Sequence, residues 1–210
     1  MTAEADREAA RKLEGVLSRS RELGFLGPGP VDHHIDHAAG FTEAMTTGGR
    51  VAARIADLGA GGGVPGLPLL LRCPGVEMVL IDASQRRCSF LVWAVVELGV
   101  AVRAEVRCVR AEELGHEPQH RGVYDGVIAR GFGSPSTTVE CGAPLLGLGG
   151  RLAISEPPGG RRWPEAELAG VGMRVVERIS GVVVLERTGS VPAEVPRSIS
   201  DQRRRPLFAL

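Results

Sequence analysis

A glycine-rich segment, Asp57–Gly63, contains the residues best suited to chemistry. It has the sequence DLGAGGG and lies between a strand-like run and a helix-like run. Glycines at such a junction let the backbone turn sharply and let a ligand approach without meeting a Cβ atom. Asp57 precedes the first glycine by two residues, a position that suits a cationic group such as the amine of an amino-acid-bearing cofactor. We therefore expect a cofactor at this turn.

The same glycines allow another interpretation. Gly61, Gly63 and Gly66 satisfy the G-x-G-x-x-G pattern of dinucleotide-binding folds, so a nicotinamide cofactor is an alternative. Pro65 and Pro68 disfavour it, because proline lacks the amide donor that a helix start offers to a pyrophosphate. A glycine-rich turn without any ligand is the third interpretation. The residues favour the amino-acid-bearing cofactor.

Polar residues also close three further strand-like runs. Asp82 ends VLID, where a carboxylate can accept hydrogen bonds from both ribose hydroxyls of an adenosine; capping of the next helix is the alternative. Arg110–Glu113 follow the third strand and are placed to meet an adenine, and Arg130 ends the fourth. Because the carboxyl ends of parallel strands share one edge of a sheet, these residues predict one cofactor crevice.

Alternating strand-like and helix-like runs position these residues. The predicted strands are Ala53–Leu58, Val76–Ile81, Val102–Val109, Tyr124–Ala129 and Arg151–Ser155, and the predicted helices between them cover 66–72, 84–98, 111–115 and 135–147. This alternation predicts an α/β fold with a parallel sheet covered on both faces. The runs MRVVERIS and VVVLER, separated by Gly181, predict an antiparallel hairpin, and the tail after them reads as irregular and basic.

Two helices are predicted ahead of the sheet. The first runs from Ala3 to about Leu23, and GFLGPGP at 24–30 ends it. The second covers 32–46 and ends near Thr46–Gly49. Of the two tryptophans, Trp93 is expected in the core, and Trp163 is a weaker candidate for stacking on a base.

Composition excludes several classes of protein. With 210 residues, 43% of them hydrophobic, and a formal net charge of +0, the chain fits one compact domain. No apolar run reaches the roughly 20 residues that a membrane span needs, and the polar N-terminus lacks the apolar region of a signal peptide. The four cysteines, without CxxC spacing, indicate reduced thiols of a cytoplasmic protein.

A histidine cluster raises the question of a metal. His33 and His37 share one face of the predicted second helix, with His34 and Asp36 between them. A third ligand with a fixed partner is missing, so we expect no metal.

Several segments look like successive motifs of a known family. DLGAGGGVPGLPL, LIDASQRRCSFL, RAEEL, YDGVIAR and GGRLAIS resemble those of the bacterial small-subunit rRNA (guanine-N7) methyltransferase G family. HHIDHA and PRSISDQRRRPL are similar to its histidine segment and its basic C-terminus. The resemblance implies a Rossmann-like S-adenosylmethionine-dependent methyltransferase fold, with a mostly parallel seven-stranded sheet ending in an antiparallel hairpin. It implies a helical extension over 1–48, a methyltransferase domain over 49–190 and a basic tail over 191–210.

The resemblance also implies a cofactor, a partner and site residues. The expected cofactor is S-adenosyl-L-methionine. The expected partner is small-subunit rRNA or the assembling small ribosomal subunit. We expect a cytoplasmic monomer that binds neither a membrane nor a metal. Residues that stand where the family contacts the cofactor are Gly59, Val64, Ala111, Glu112 and Arg130, and Asp57, Gly61, Gly63 and Asp82 complete the predicted cofactor site. The predicted substrate-binding residues are His34, Asp36, Arg197, Arg203, Arg204 and Arg205, the last three also being compatible with a solvated tail.

The expected reaction needs little acid–base chemistry. Guanine N7 has a lone pair and no proton to lose, so methyl transfer requires orientation rather than a general base. No catalytic residue is therefore assigned, and Arg130 is the best candidate for positioning cofactor or base. Ser155 and Glu156 replace the family's Lys-Gly, which predicts a less positive channel for RNA phosphates. A methyltransferase of another RNA or of a small molecule, and a non-catalytic cofactor-binding homologue, are the alternatives.

Overall fold

A computed structural model describes residues 3–46, 52–160 and 163–209. Within these residues the chain forms a seven-stranded sheet in the order β3-β2-β1-β4-β5-β7-β6. The strands are β1 (Arg54–Leu58), β2 (Glu77–Asp82), β3 (Ala104–Cys108), β4 (Tyr124–Ala129), β5 (Leu146–Ser155), β6 (Met173–Ile179) and β7 (Val182–Arg187). The first five are parallel, and β7 is antiparallel to both β5 and β6. This confirms the predicted mostly parallel sheet with an antiparallel terminal hairpin.

Helices cover both faces of the sheet. They are α1 (Ala3–Glu22), α2 (Val31–Thr46), α3 (Gly66–Arg72), α4 (Gln85–Glu97), α5 (Ala111–Leu114), α6 (Pro135–Gly142), α7 (Glu165–Gly170) and α8 (Ile199–Arg204). Neighbouring residues of one strand belong to opposite cores: Leu80 packs with the side chains of α1–α4, whereas Val79 packs with those of α5–α7 and the C-terminal tail. Such near-continuous apolar strands are typical of a sheet that is buried on both faces. None of the helices in these ranges is long and apolar enough to cross a membrane.

Three predicted boundaries are wrong by two residues or more. The strand expected over 102–109 begins only at Ala104, because a 3₁₀ turn occupies Ala101–Arg103. The helix expected over 135–147 ends at Gly142, and β5 begins at Leu146 instead of Arg151. Pro144 lies in the 3₁₀ turn between them, and a proline in a helix interior removes a hydrogen bond and clashes with the preceding turn.

The tail after β7 is not irregular throughout, as the sequence had suggested. Ser198 caps α8 by accepting a hydrogen bond from the Asp201 amide at 3.2 Å. Further along, Phe208 is buried against Trp163, with ring centroids 6.0 Å apart. The tail therefore packs as part of the second core.

Other expectations concern the N-terminal region and Trp93. The predicted end of α2 beyond Thr46, and the boundary between the extension and the methyltransferase domain at 48/49, lie outside the described residues. Trp93 is 42% exposed on the outer side of α4, so the prediction that it belongs to the core is wrong.

Candidate active site

The glycine-rich loop after β1 has the conformation that its sequence requires. Gly59, Gly61 and Gly63 have φ values of +67°, +53° and +90°, a region that L side chains rarely adopt. Gly62 lies against α1: a Cβ atom there would be 2.6 Å from Ser20 Oγ. Ser20 donates a hydrogen bond to the Gly62 carbonyl at 2.9 Å. The loop is thus fixed from behind by the N-terminal helix.

Asp57 is a buried carboxyl at the end of β1. Its Oδ2 accepts a hydrogen bond from the Gly66 amide at 3.1 Å, whereas Oδ1 has no partner among the described residues. Burial raises the pKa of Asp57 to about 7, although the Gly66 amide and the positive charge of Arg130 act in the opposite direction. A buried acceptor such as Asp57 Oδ1 normally has a hydrogen-bond donor, and the ammonium group of a cofactor could supply one. Oδ1 is also enclosed, so the side chains around it must shift before a ligand touches it.

Asp82 at the end of β2 holds the glycine loop from the other side. Its Oδ2 accepts a hydrogen bond from the Gly61 amide at 3.0 Å, and its Oδ1 accepts one from the Ser84 amide at 2.8 Å. Arg87 Nη1 also lies 3.6 Å from Oδ2, so Oδ1, with one hydrogen bond and a further acceptor position, is the more open oxygen for a ligand hydroxyl. Ser84 occupies the N-cap position of α4, which has no side-chain cap.

A cavity of about 730 Å³ opens along the carboxyl ends of β1–β4. This volume is typical of small-molecule sites, which span roughly 300–1,000 Å³. Predicted site residues on its wall are Gly59, Asp82, Ala111, Glu112 and Arg203. Asp57, Gly61, Gly63, Val64 and Arg130 do not line it; Asp57 belongs to β1, and Gly61, Gly63 and Val64 belong to the turn that shapes it. The strand ends therefore converge on one cavity, as predicted; some of the predicted site residues line this cavity and the others lie behind its wall.

The C-terminal tail completes this cavity, which sequence reasoning did not anticipate. Ile199, Gln202 and Phe208 line it opposite the strand ends. Arg197 anchors the tail: its Nε and Nη2 donate to Glu140 Oε1 and Oε2, each at 2.7 Å, and its amide donates to Oε1 at 2.9 Å. The guanidinium of Arg197 thus already has a protein partner, and its predicted contact with RNA stays a prediction.

Arg130 connects β4 to the N-terminal region through His34. Its Nη1 lies 3.0 Å from His34 Nδ1, and His34 Nε2 lies 3.2 Å from the Gly27 carbonyl oxygen. Since arginine only donates, Nδ1 accepts and Nε2 carries the proton. Burial, followed by the charge of Arg130, lowers the pKa of His34, so this histidine is neutral at pH 7. A substrate contact by His34 stays a prediction.

The remaining predicted substrate residues are spread over the surface. Asp36 is exposed on α2 and lines neither this cavity nor the one described next. Arg204 pairs with Asp201 at 2.7 Å, whereas Arg203 and Arg205 make no ion pair with any part of the chain that the structure describes. Among those residues, no group of three or more His, Cys, Asp or Glu side chains could hold a metal ion.

A second, smaller cavity of about 360 Å³ adjoins the first. The two share a wall made by the loop between β4 and α6: Gly131, Phe132, Gly133 and Pro135. Phe132 also packs on the glycine loop, since a Cβ atom at Gly59 would lie 2.8 Å from its Cδ2. Its position two residues after Arg130 is a signal that could have identified Phe132 from the sequence.

Glu156 and Trp163 line the far side of the smaller cavity. Trp163 is buried and donates its indole Nε1–H to Glu156 Oε1 at 2.8 Å. Arg178 Nε donates to Glu156 Oε2 at 3.2 Å. Trp163 is therefore part of a cavity wall, and its stacking on a base stays a prediction.

Comparison with solved structures identifies the class of fold. A putative O-methyltransferase from Klebsiella pneumoniae superposes with a TM-score of 0.57 at 9% identity, covering 85% of this chain and 90% of that one. An RNA methyltransferase from Salinibacter ruber in complex with S-adenosyl-L-homocysteine gives 0.52 at 19% identity, covering 79% and 97%. At these identities the likeness concerns the fold alone. The chain has the fold of the S-adenosylmethionine-dependent methyltransferases.

Sequence comparison then identifies the family. The model of the rRNA small subunit methyltransferase G family matches residues 30–155. Proteins named ribosomal RNA small subunit methyltransferase G share 35% identity over 173 residues in Roseiflexus castenholzii (76% of this chain, 73% of that protein) and 34% over 206 residues in Mycobacterium sp. strain KMS (93% and 84%). The chain belongs to the rRNA small subunit methyltransferase G family, and the resemblance found in its motifs is confirmed.

Proposed function

We propose that this protein transfers a methyl group from S-adenosylmethionine to N7 of a guanine in the 16S rRNA of the small ribosomal subunit. The observation that carries this proposal is the family match over residues 30–155, which contains the glycine loop and all five strands that end at the cavities. The larger cavity is the proposed cofactor site, because its wall combines the glycine loop with the carboxylate of Asp82.

Each side of the larger cavity has a task in this proposal. Asp82 would accept hydrogen bonds from the ribose hydroxyls, and Ala111 and Glu112 would bound the adenine. Asp57 and the glycine loop would hold the amino-acid end. When bound, S-adenosylmethionine supplies a methyl group on a positively charged sulfur. The tail, anchored through Arg197, would exclude water from the opposite side of the cavity.

The protein's contribution to the reaction is orientation. Guanine N7 attacks through its lone pair and releases no proton, so no side chain needs to act as a base. Arg130 is assigned a positioning role, since its charge acts on Asp57 and its guanidinium is held by a hydrogen bond to the neutral His34. This explains why the site lacks a paired acid and base.

We place the reaction in the cytoplasm and assign the protein a monomeric state, with rRNA reached through the basic tail. Arg203 lines the cofactor cavity and Arg205 is exposed beside it, so the two guanidinium groups are free to contact phosphates near the entrance. Arg197 and Arg204 are held by carboxylates and contribute less in this proposal.

The decisive experiment measures transfer of labelled methyl from S-adenosylmethionine to small-subunit rRNA. The rRNA is taken from a strain lacking this gene, and rRNA from the parent strain, already modified, is the matched control. We expect label in the first RNA alone, mapping to one N7-methylguanine. No label in either RNA, together with retained S-adenosylhomocysteine binding, would refute the substrate and favour a methyltransferase of another RNA or small molecule.

A further inference from the structure

We propose that the smaller cavity is the pocket of the target guanine base, and that Glu156 recognises the base by accepting hydrogen bonds from its N1–H and its exocyclic N2 amino group. This inference rests on the proposed function and specifies the base-binding part of the site.

The position of the cavity supports the proposal first. The loop from Gly131 to Pro135 forms a wall of both cavities, so a base in the smaller one lies next to a cofactor in the larger one. Its volume of about 360 Å³ is at the small end of ligand pockets, as expected for a single flat base. Phe132, Pro157 and Trp163 give it apolar walls.

The carboxylate of Glu156 is the second support. Its side chain is only 5% exposed, and the bonds from Trp163 and Arg178 fix its orientation. Among the described residues those two bonds use one acceptor position on each oxygen, and a carboxylate has about four, so each oxygen keeps a lone pair with respect to that part of the chain. Guanine offers two parallel N–H donors on its Watson–Crick edge. Adenine lacks that pair of donors, so a carboxylate at this place selects guanine.

The geometry of guanine itself is the third support. N1 and N2 lie on one edge of the purine, and N7 lies on the opposite side. Glu156 follows β5, whereas the wall shared with the cofactor cavity belongs to the loop after β4. Holding the N1–N2 edge at Glu156 therefore leaves N7 free of the carboxylate. Recognition and methyl transfer are assigned to different elements of the fold.

The test is a cycle of enzyme and substrate changes. The target nucleotide, first mapped with the wild-type protein, is replaced by inosine, which lacks only the N2 amino group, through splinted ligation of the rRNA. Charge-assisted hydrogen bonds to a carboxylate predict that the wild-type kcat/KM falls about tenfold or more with inosine. With Glu156→Gln we expect the two RNAs to differ by less than about twofold, since the amide loses an acceptor.

The matched control is Glu186→Gln, the same change at a glutamate that pairs with Arg174 and lines neither cavity. It should retain the wild-type ratio between guanine and inosine. A merely structural Glu156 would lower the activity toward both RNAs equally, and a Glu156→Gln protein that keeps the full tenfold ratio would overturn the proposal.

A binding measurement separates this inference from the proposed function. The chain has two tryptophans, so Trp93→Phe leaves Trp163 as the fluorescent reporter inside the cavity. In the presence of S-adenosylhomocysteine, GMP should quench its emission at about tenfold lower concentration than IMP, and Glu156→Gln should abolish the difference. Equal quenching by GMP and IMP in the Trp93→Phe protein would refute the guanine pocket. This readout needs no turnover, so it holds even if the rRNA assay fails.

Discussion

The ion pair between Arg197 and Glu140 allows a quantitative prediction about the C-terminal tail. Glu140 is 0% exposed, and its two oxygens accept three hydrogen bonds from Arg197, at 2.7, 2.7 and 2.9 Å. The change Arg197→Met keeps an apolar stem of similar length but removes the guanidinium. It leaves a buried carboxylate with only the backbone amide as a partner.

The expected magnitude follows from this burial. Removing one partner of a buried pair costs about 3–5 kcal/mol, because the other charge remains without compensation. The Arg197 side chain is 27% exposed, so water can reach part of the site and the lower end of the range applies. At about 2–4 °C per kcal/mol for a domain of this size, 3 kcal/mol lowers Tm by about 6–12 °C.

Thermal unfolding followed by circular dichroism, without RNA, measures this shift. The surface pair of Arg204 with Asp201 is the matched control, and Arg204→Ala should change Tm by no more than about 2 °C. Adding Glu140→Met to Arg197→Met should recover most of the loss, because no buried charge is left. Calorimetry should also show weaker S-adenosylhomocysteine binding by the single variant, since the anchored tail lines the cofactor cavity. A Tm for Arg197→Met within 2 °C of wild type would refute the anchor and favour a role in RNA contact.

Three further changes test other parts of the site. The pKa of Asp57 is raised to about 7 in the folded state, so between about pH 4 and about pH 7 the folded protein binds more protons than the unfolded chain. Its free energy of unfolding therefore falls as pH rises from about 4 to about 7. Urea denaturation should show a smaller fall in the free energy of unfolding across this window for Asp57→Asn. Gly62→Ala places a Cβ atom 2.6 Å from Ser20 Oγ and 2.7 Å from the Phe25 carbonyl, and should lower the free energy of unfolding by about 1–3 kcal/mol in the same measurement. Arg130→Ala should weaken S-adenosylhomocysteine binding, measured by calorimetry, and slow methyl transfer to rRNA. An unchanged pH dependence in Asp57→Asn would contradict the first expectation, and an unchanged unfolding midpoint in Gly62→Ala would contradict the second. Unchanged affinity and rate in Arg130→Ala would contradict the third.

Local chemistry explains what the sequence could predict. The glycine turn and Asp82 are recognisable because turn conformation and the position at a strand end are properties of a few neighbouring residues. Both lie where the sequence predicts, and the alternation of strands and helices sufficed for the parallel sheet. The resemblance of the motifs to a family added what such patterns do not contain, the identity of cofactor and substrate.

Contacts between distant segments explain what the sequence could not predict. Glu140 and Arg197 are 57 residues apart, and no pattern in either segment indicates their pairing. The same is true of the tail as a wall of the cofactor cavity. Trp93 was misplaced because an apolar run on a helix does not reveal which side packs and which side meets solvent.

The contact between Ser20 and Gly62 makes the N-terminal helix part of cofactor binding. The family match begins only at residue 30, yet Ser20 is buried and bonded to the loop that bounds the cofactor cavity. By thermodynamic reciprocity, a ligand of the loop that changes the contact between Ser20 and Gly62 and a ligand of α1 that changes the same contact alter each other's affinity by one common factor. The segment ahead of the matched residues 30–155 therefore supports the loop from which the proposed cofactor site is built.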